Sequence, residues 1–438
     1  MSFLSPLISA TFPSPRPGPH KNLGYAFLST PALAPWSLKS PTFISNGKPA
    51  LNLLDIGYAV YYPSAPPKRG WLGGGEGTVH WLSDPKKEVV RGYERFLGKR
   101  TYWLLVKAMS FFVPRMRFRA NRNAPLLPPS SSSQYPIVVF SHGLAGTRTT
   151  YSQYCSALAS EGFVVLSIEH KDGSGPLVTV SRGEGDGEKD GLLHYIRGTD
   201  LLWAVDEDSS LSHFRTLQLQ MRLREVYETY HSFRRVLAGE VEPVFEGMKG
   251  DQPLEWLASL RDKVDPEQVY YTGHSFGGAT VINTLQTPPP DSAYSRLPVV
   301  KAIALDPWLE PLAAPAPSQH GGPVSPPLLV LNSPGFTIWR THFQRLVKLV
   351  KEAKGSLITI MKGTHQSFSD FPLLLPPSSG SLRFLAASHE LSINFIRGHL
   401  GTSPILKDLQ ADGGEVEKDE KGKMTATSAV AVHLIGKD

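Results

Sequence analysis

The sequence predicts an α/β fold: a mostly parallel, doubly wound sheet with helices on both faces. Two observations carry that reading. Short β-branched-rich segments, apolar on both faces, recur at 137–140 (IVVF), 164–168 (VVLSI), 269–271 (VYY), 300–305 (VKAIAL), 328–332 (LLVLN) and 357–361 (LITIM). A strand covered on both faces reads as a continuous apolar run, which is the mark of a parallel sheet. Between these runs lie helical patterns, at 150–161, 211–237, 254–262 and 277–286. Strands alternating with helices are joined by crossover connections of the parallel kind.

Taken in order, residues 1–48 are rich in Pro, Ser and Gly and read as an irregular N-terminal arm. The run 51–62 (LNLLDIGYAVYY) reads as a strand closed by Pro63. Residues 123–136 form a Pro/Ser link, and 311–327 place six prolines in 17 positions, which demands a loop. The charged run after Gly401 makes 401–438 an expected disordered tail. A single domain is therefore expected over 49–400.

Composition narrows the class. The 438 residues carry a formal net charge of +6, too mild for a dedicated nucleic-acid binder. Hydrophobic residues at 41% and aromatics at 10% suffice for a sizeable core, which excludes wholesale disorder. The single cysteine, Cys155, can close no internal disulfide and offers no metal-cluster spacing. No run of 18 apolar residues exists to span a bilayer, and the first residues lack the basic start of a signal peptide. A cytoplasmic protein, peripheral on membranes at most, is the expectation. Nothing in the sequence specifies an oligomeric state.

The sharpest motif is Gly273-His274-Ser275-Phe276-Gly277, between the strand-like run 269–271 and a helix-like run. G-x-S-x-G in that context is a nucleophile elbow of the α/β-hydrolase fold. The glycines let the backbone turn sharply, and the following helix N-terminus favours negative charge at the serine. In this fold the acid and then the histidine follow the serine. Asp306 closes the run VKAIAL and precedes Pro307, and a carboxylate behind a buried strand needs a partner. Glu310 and Asp370 are the fallback acids. His365 follows the run 357–361 at the sheet's carboxyl edge, where groups of open α/β sheets gather. His320 lies in a Pro/Gly loop, and His342, His389 and His399 lie in helix-like stretches. The turn His142-Gly143-Leu144 after 137–140 suits an oxyanion hole made of the Leu144 and Phe276 N–H groups. His142 precedes the nucleophile and reads as a residue that orients this turn.

Four blocks in order, VVFSHGLAGTRTTYSQYCSALASEGFVVLSIEHKDGS, GHSFGGAT, ALDPWLEP and KGTHQSFSDF, resemble the plasma-type (group II) platelet-activating factor acetylhydrolases and their fungal relatives. The likeness runs with gaps from about Leu51 to Leu400. It implies that Ser275, Asp306 and His365 are the triad, that Leu144 and Phe276 form the oxyanion hole, and that His142, Trp308 and Gln366 border the substrate pocket. It also implies a calcium-independent esterase, with no metal or cofactor, that removes short or oxidised sn-2 acyl groups from phospholipids. Residues 173–200 and 311–327 depart from the family pattern, and the tail after Gly401 has no counterpart. Two readings stay open beside this one: a general carboxylesterase or polyester hydrolase of the same fold, and a non-catalytic lipid-binding protein.

Residues 95–122 hold eight Lys/Arg and no Asp/Glu, with an apolar stretch at 102–113. Such a mix suits a helix on a lipid surface, with Trp103, Leu104 and Leu105 as contacts, or equally a helix packed on the sheet.

Overall fold

The computed structural model describes residues 11–13, 16–66, 77–98, 110–130, 133–181, 191–248, 250–312, 326–374, 378–406 and 429–436. Its main sheet is built from β1 (Leu23–Ser37), β2 (Asn52–Pro63), β3 (Tyr135–Ser141), β4 (Val164–Glu169), β5 (Val264–His274), β6 (Val299–Leu305), β7 (Leu328–Asn332), β8 (Ser356–Ile360) and β9 (Val430–Leu434). In space they run β1-β2-β4-β3-β5-β6-β7-β8-β9. Neighbours from β4 through β8 are parallel, whereas the pairs β1–β2, β2–β4 and β8–β9 are antiparallel. The apolar runs read from the sequence are therefore the parallel centre of the sheet.

Period-two alternation divides each of these runs between two cores. On one face Val138, Phe140, Val165, Ile303, Leu305, Leu329 and Leu331 pack with Tyr154 and Leu158 of α2 (Ser152–Ser160) and with Phe384 and Leu391 of a helix at Ser379–Ile396. On the other face Ile137, Val139, Leu166, Ala302, Ala304 and Val330 meet α3 (Leu211–Ala238), α4 (Gln252–Leu260), α5 (Phe276–Gln286) and a helix at Arg340–Glu352. Each fully buried Val, Leu, Ile or Phe side chain contributes roughly 1.5–3 kcal/mol. The long α3 starts where Ser210 Oγ accepts the His213 N–H at 3.1 Å and stops at Gly239 in the left-handed region.

Two expectations need correction. The arm 1–48 is not irregular throughout, because β1 occupies Leu23–Ser37 and pairs with β2 along its length. Pro31 and Pro35 hid it, and they are tolerated because the register breaks between Pro31 and Trp36, where the ladder bulges. The tail 401–438 is not disordered throughout either. Val430–Leu434 adds antiparallel to β8 and buries Val430 and Val432, so an apolar pentapeptide behind a charged run closes the sheet.

The basic stretch 95–122 is not one helix. A helix α1 (Lys86–Leu97) ends at its beginning, taking in residues 95–97, and Arg117–Arg119 form a short strand against Thr78–His80 with Phe118 buried. Trp103, Leu104 and Leu105 lie outside the described residues, as does most of 311–327. Among the described residues no helix is long and apolar enough to cross a membrane.

Candidate active site

The chain reverses its direction of sheet growth between β3 and β5, and a crevice at the carboxyl ends of the strands is expected at such a switch point. Four strand ends meet there. β3 leads to His142-Gly143-Leu144, β5 to Ser275, β6 to Asp306, and β8 through a short turn to His365.

Ser275 sits at φ 59°, ψ −117°, a backbone conformation costing on the order of 1–3 kcal/mol. The surroundings hold it there. Its N–H donates to the Leu305 carbonyl at 2.9 Å, and its own carbonyl accepts the Trp308 N–H at 3.0 Å. The glycines are obligatory for contact reasons: a Cβ on Gly277 would lie 2.0 Å from the Ser141 carbonyl oxygen, and one on Gly273 2.5 Å from that of Gly277. The sharp turn brings β5, β3 and α5 too close for side chains.

Ser275 Oγ lies 2.9 Å from His365 Nε2, and His365 Nδ1 lies 3.0 Å from Asp306 Oδ2. Asp306 is fully buried, and Ser333 donates to it through its N–H (2.6 Å) and its hydroxyl (2.5 Å). Burial raises the Asp306 carboxyl above its ordinary range, and the hydrogen bonds from His365 and Ser333 offset part of that rise. His365 opens a 3-10 turn, His365–Phe368, and Phe336 stacks on its ring at 4.4 Å. Its other face meets His274 at 4.5 Å. Burial, reinforced by the nearness of His365, pushes the His274 imidazole well below the usual histidine range.

The Phe276 N–H is the first of α5 and has no acceptor within its helix. The turn carrying Leu144 is pressed against the serine, since a Cβ on Gly143 would lie 2.9 Å from Ser275 Cβ. A buried polar network lies beneath it. Arg222 donates to Asp172 (2.7 Å), to the Ser174 hydroxyl (2.7 Å) and to the His142 carbonyl (2.6 Å), and stacks over the Phe276 ring at 4.4 Å. Against the cost of burial, the Arg222 guanidinium and the bonds from Ser174 hold Asp172 below its ordinary range.

The remaining sequence candidates sort by position. His142 is fully buried, with Nδ1 donating to the Gly143 carbonyl at 2.9 Å and Nε2 accepting the His170 N–H at 3.3 Å. It braces the turn from behind. Burial and the adjacent guanidinium push it down to about 3. Trp308 packs edge-on against Phe276, and Gln366 is exposed next to His365. Asp370 is no partner of His365; it caps α2, accepting from the Ser152 N–H and hydroxyl, the Gln153 N–H and Trp81 Nε1. Glu310 is exposed. Ser333 was not anticipated, although it directly follows the run 328–332 at the same sheet edge. A ring nitrogen of His274, a carboxylate oxygen of Asp306 and a ring nitrogen of His365 lie within 4.8 Å of one another, close enough to grip a cation. Both His365 nitrogens and both Asp306 oxygens, however, are already engaged with each other, Ser275 and Ser333.

The family model for platelet-activating factor acetylhydrolase, isoform II, matches residues 59–392. The chain belongs to this family. It is similar to the platelet-activating factor acetylhydrolases of Canis lupus familiaris (29% identical over 385 residues, 84% of this chain and 77% of that one) and Bos taurus (30% over 383 residues, 84% and 77%). The ferulic acid esterase from Streptomyces cinnamoneus has a similar structure, with TM-score 0.54 at 18% identity over 93% of this chain and 98% of that one. The architecture of this acetylhydrolase family member is thus the α/β-hydrolase fold, and all four blocks singled out in the sequence fall within the family match.

Proposed function

We propose that the protein is a calcium-independent carboxylic ester hydrolase that removes sn-2 acetyl or short or oxidised acyl groups from phospholipids. The observation that carries this reading is the continuous line Ser275 Oγ, His365, Asp306, with both spans at 3.0 Å or less. Ser275 Oγ attacks the acyl carbonyl while His365 Nε2 takes its proton. Asp306 holds the proton on Nδ1 and stabilises the imidazolium. The Leu144 and Phe276 N–H groups receive the developing oxyanion, each donor worth about 3–4 kcal/mol. His365 then protonates the departing lysophospholipid oxygen, and water, activated by the same imidazole, releases the acid and regenerates Ser275.

Contact with a lipid surface belongs to the same proposal. Phe111 and Phe112 are exposed in the basic stretch, and the Arg115 guanidinium lies 4.2 Å over the Phe111 ring. Replacing both phenylalanines by serine is expected to weaken partition onto anionic vesicles about tenfold or more and to spare hydrolysis of a soluble ester.

Turnover by the purified protein on sn-2 acetyl and sn-2 long-chain phosphatidylcholine, with and without chelator, tests the reading. Chelator-insensitive hydrolysis favouring the acetyl ester is expected. Hydrolysis of simple aryl or polyester substrates without either phospholipid would replace it with a general esterase.

A further inference from the structure

His274, the residue before the nucleophile, and Tyr151, at the start of α2, are joined by a short polar chain that the proposed reaction does not use. The Gly143 N–H, in the oxyanion turn, points at the Tyr151 hydroxyl oxygen at 3.3 Å. The same hydroxyl lies 2.7 Å from His274 Nδ1. Both side chains are buried, Tyr151 at 3% and His274 at 2% exposure. Donor chemistry fixes the first bond of this chain. An amide N–H can only donate, so the phenol oxygen accepts from Gly143, and its single proton is free to go to His274 Nδ1. With the phenol donating, a neutral His274 carries its own proton on Nε2, and burial disfavours the charged ring. The His274 ring is in turn the surface on which His365 rests, at 4.5 Å between centroids and 36° between planes.

We infer that Tyr151 is a positioning residue, whose hydroxyl locks the oxyanion turn to the elbow and, through the His274 ring, sets the plane in which His365 works. The inference rests on the Ser275, Asp306 and His365 reading above. One hydroxyl thereby links three strand ends: the turn after β3 by its amide, the end of β5 by the histidine, and the loop after β8 by stacking. Gly143 is the residue whose following peptide carries the Leu144 N–H, so a loosened Gly143 blurs one of the two oxyanion donors.

Tyr151→Phe removes the hydroxyl and keeps the ring packed on Phe140, 4.8 Å away. Tyr154→Phe, on the same helix, is the control: its equally buried hydroxyl donates to Ser392 Oγ at 2.9 Å, away from the turn. On a soluble acetyl ester, Tyr151→Phe is expected to lower kcat about tenfold with KM within twofold. Tyr154→Phe is expected to keep kcat even where its melting temperature falls as far. Adding His274→Asn to Tyr151→Phe is expected to cost less than the two single losses combined, because both break one chain. An unchanged kcat in Tyr151→Phe, or equal kcat losses in both tyrosine variants, would overturn the inference.

Imidazole nitrogen NMR, with His274→Asn for assignment, provides a readout independent of turnover. Wild type should show His274 as the Nε2–H tautomer with a hydrogen-bonded Nδ1, and Tyr151→Phe should lose that signature. If the wild type hydrolyses no ester, the proposed function fails, and the spectrum alone judges the brace. An identical His274 spectrum in Tyr151→Phe would then overturn it.

Discussion

Asp306 shows how one residue is made to serve another. It sits at φ 41°, is shut off from solvent, and accepts from Ser333 and His365 at once. Asp306→Asn keeps the shape but can donate to His365 Nδ1, which favours the wrong tautomer and should lower kcat by about 10⁴-fold. Near-normal turnover in a steady-state assay would dismiss Asp306 as the acid. Asp370, another buried aspartate, carries a stability prediction. Burial outweighs its four donors and raises its carboxyl from 3.8 to about 7. Between those values the folded state holds a proton that the unfolded chain has released. The contribution of Asp370 to stability is therefore fully present below 3.8 and declines as pH rises towards about 7. Urea unfolding of wild type and Asp370→Asn across that window should give curves that differ in slope, with the wild type falling more steeply. Parallel curves would show that Asp370 stays ionised throughout.

At the scale of elements, what the sequence disclosed and what it hid have physical causes. The six central strands were legible because each is apolar on both faces, and the elbow was legible because its glycines are forced by contacts as short as 2.0 Å. Asp306 and His365 were legible as the polar residues that end buried strands. The edges were not. β1 carries prolines at a bulge, and β9 is five residues behind a charged run, so neither has the local signature of a strand; only pairing with β2 and β8 creates them. Ser333 and Tyr151 were missed for a related reason. A serine or tyrosine beside an apolar run has no pattern of its own, and its partner, Asp306 or His274, is distant in the chain. The edge strand β9 is directly testable. Val432 is buried at 5% exposure, so Val432→Asp should destabilise by about 3 kcal/mol or more in urea unfolding, and Val432→Ala by about 1–2 kcal/mol. Wild-type stability in both would place Val430–Leu434 off the sheet.

Across the whole molecule, the topology gathers residues that the sequence keeps far apart. Ser275 and His365 are separated by 90 positions and Asp306 and His365 by 59, yet parallel strands deliver all three to one edge of a single sheet. The two cores on either face fix those strand ends, and the buried Arg222–Asp172 pair fixes the turn opposite the serine. Every step of the proposed hydrolysis depends on Ser275 being the group that attacks. Reaction with a fluorophosphonate followed by peptide mass mapping tests this most directly. The expected result is one adduct, on Ser275, in the wild type, with Ser275→Ala folded, unlabelled and without esterase turnover. Turnover or labelling that persists in Ser275→Ala would contradict it.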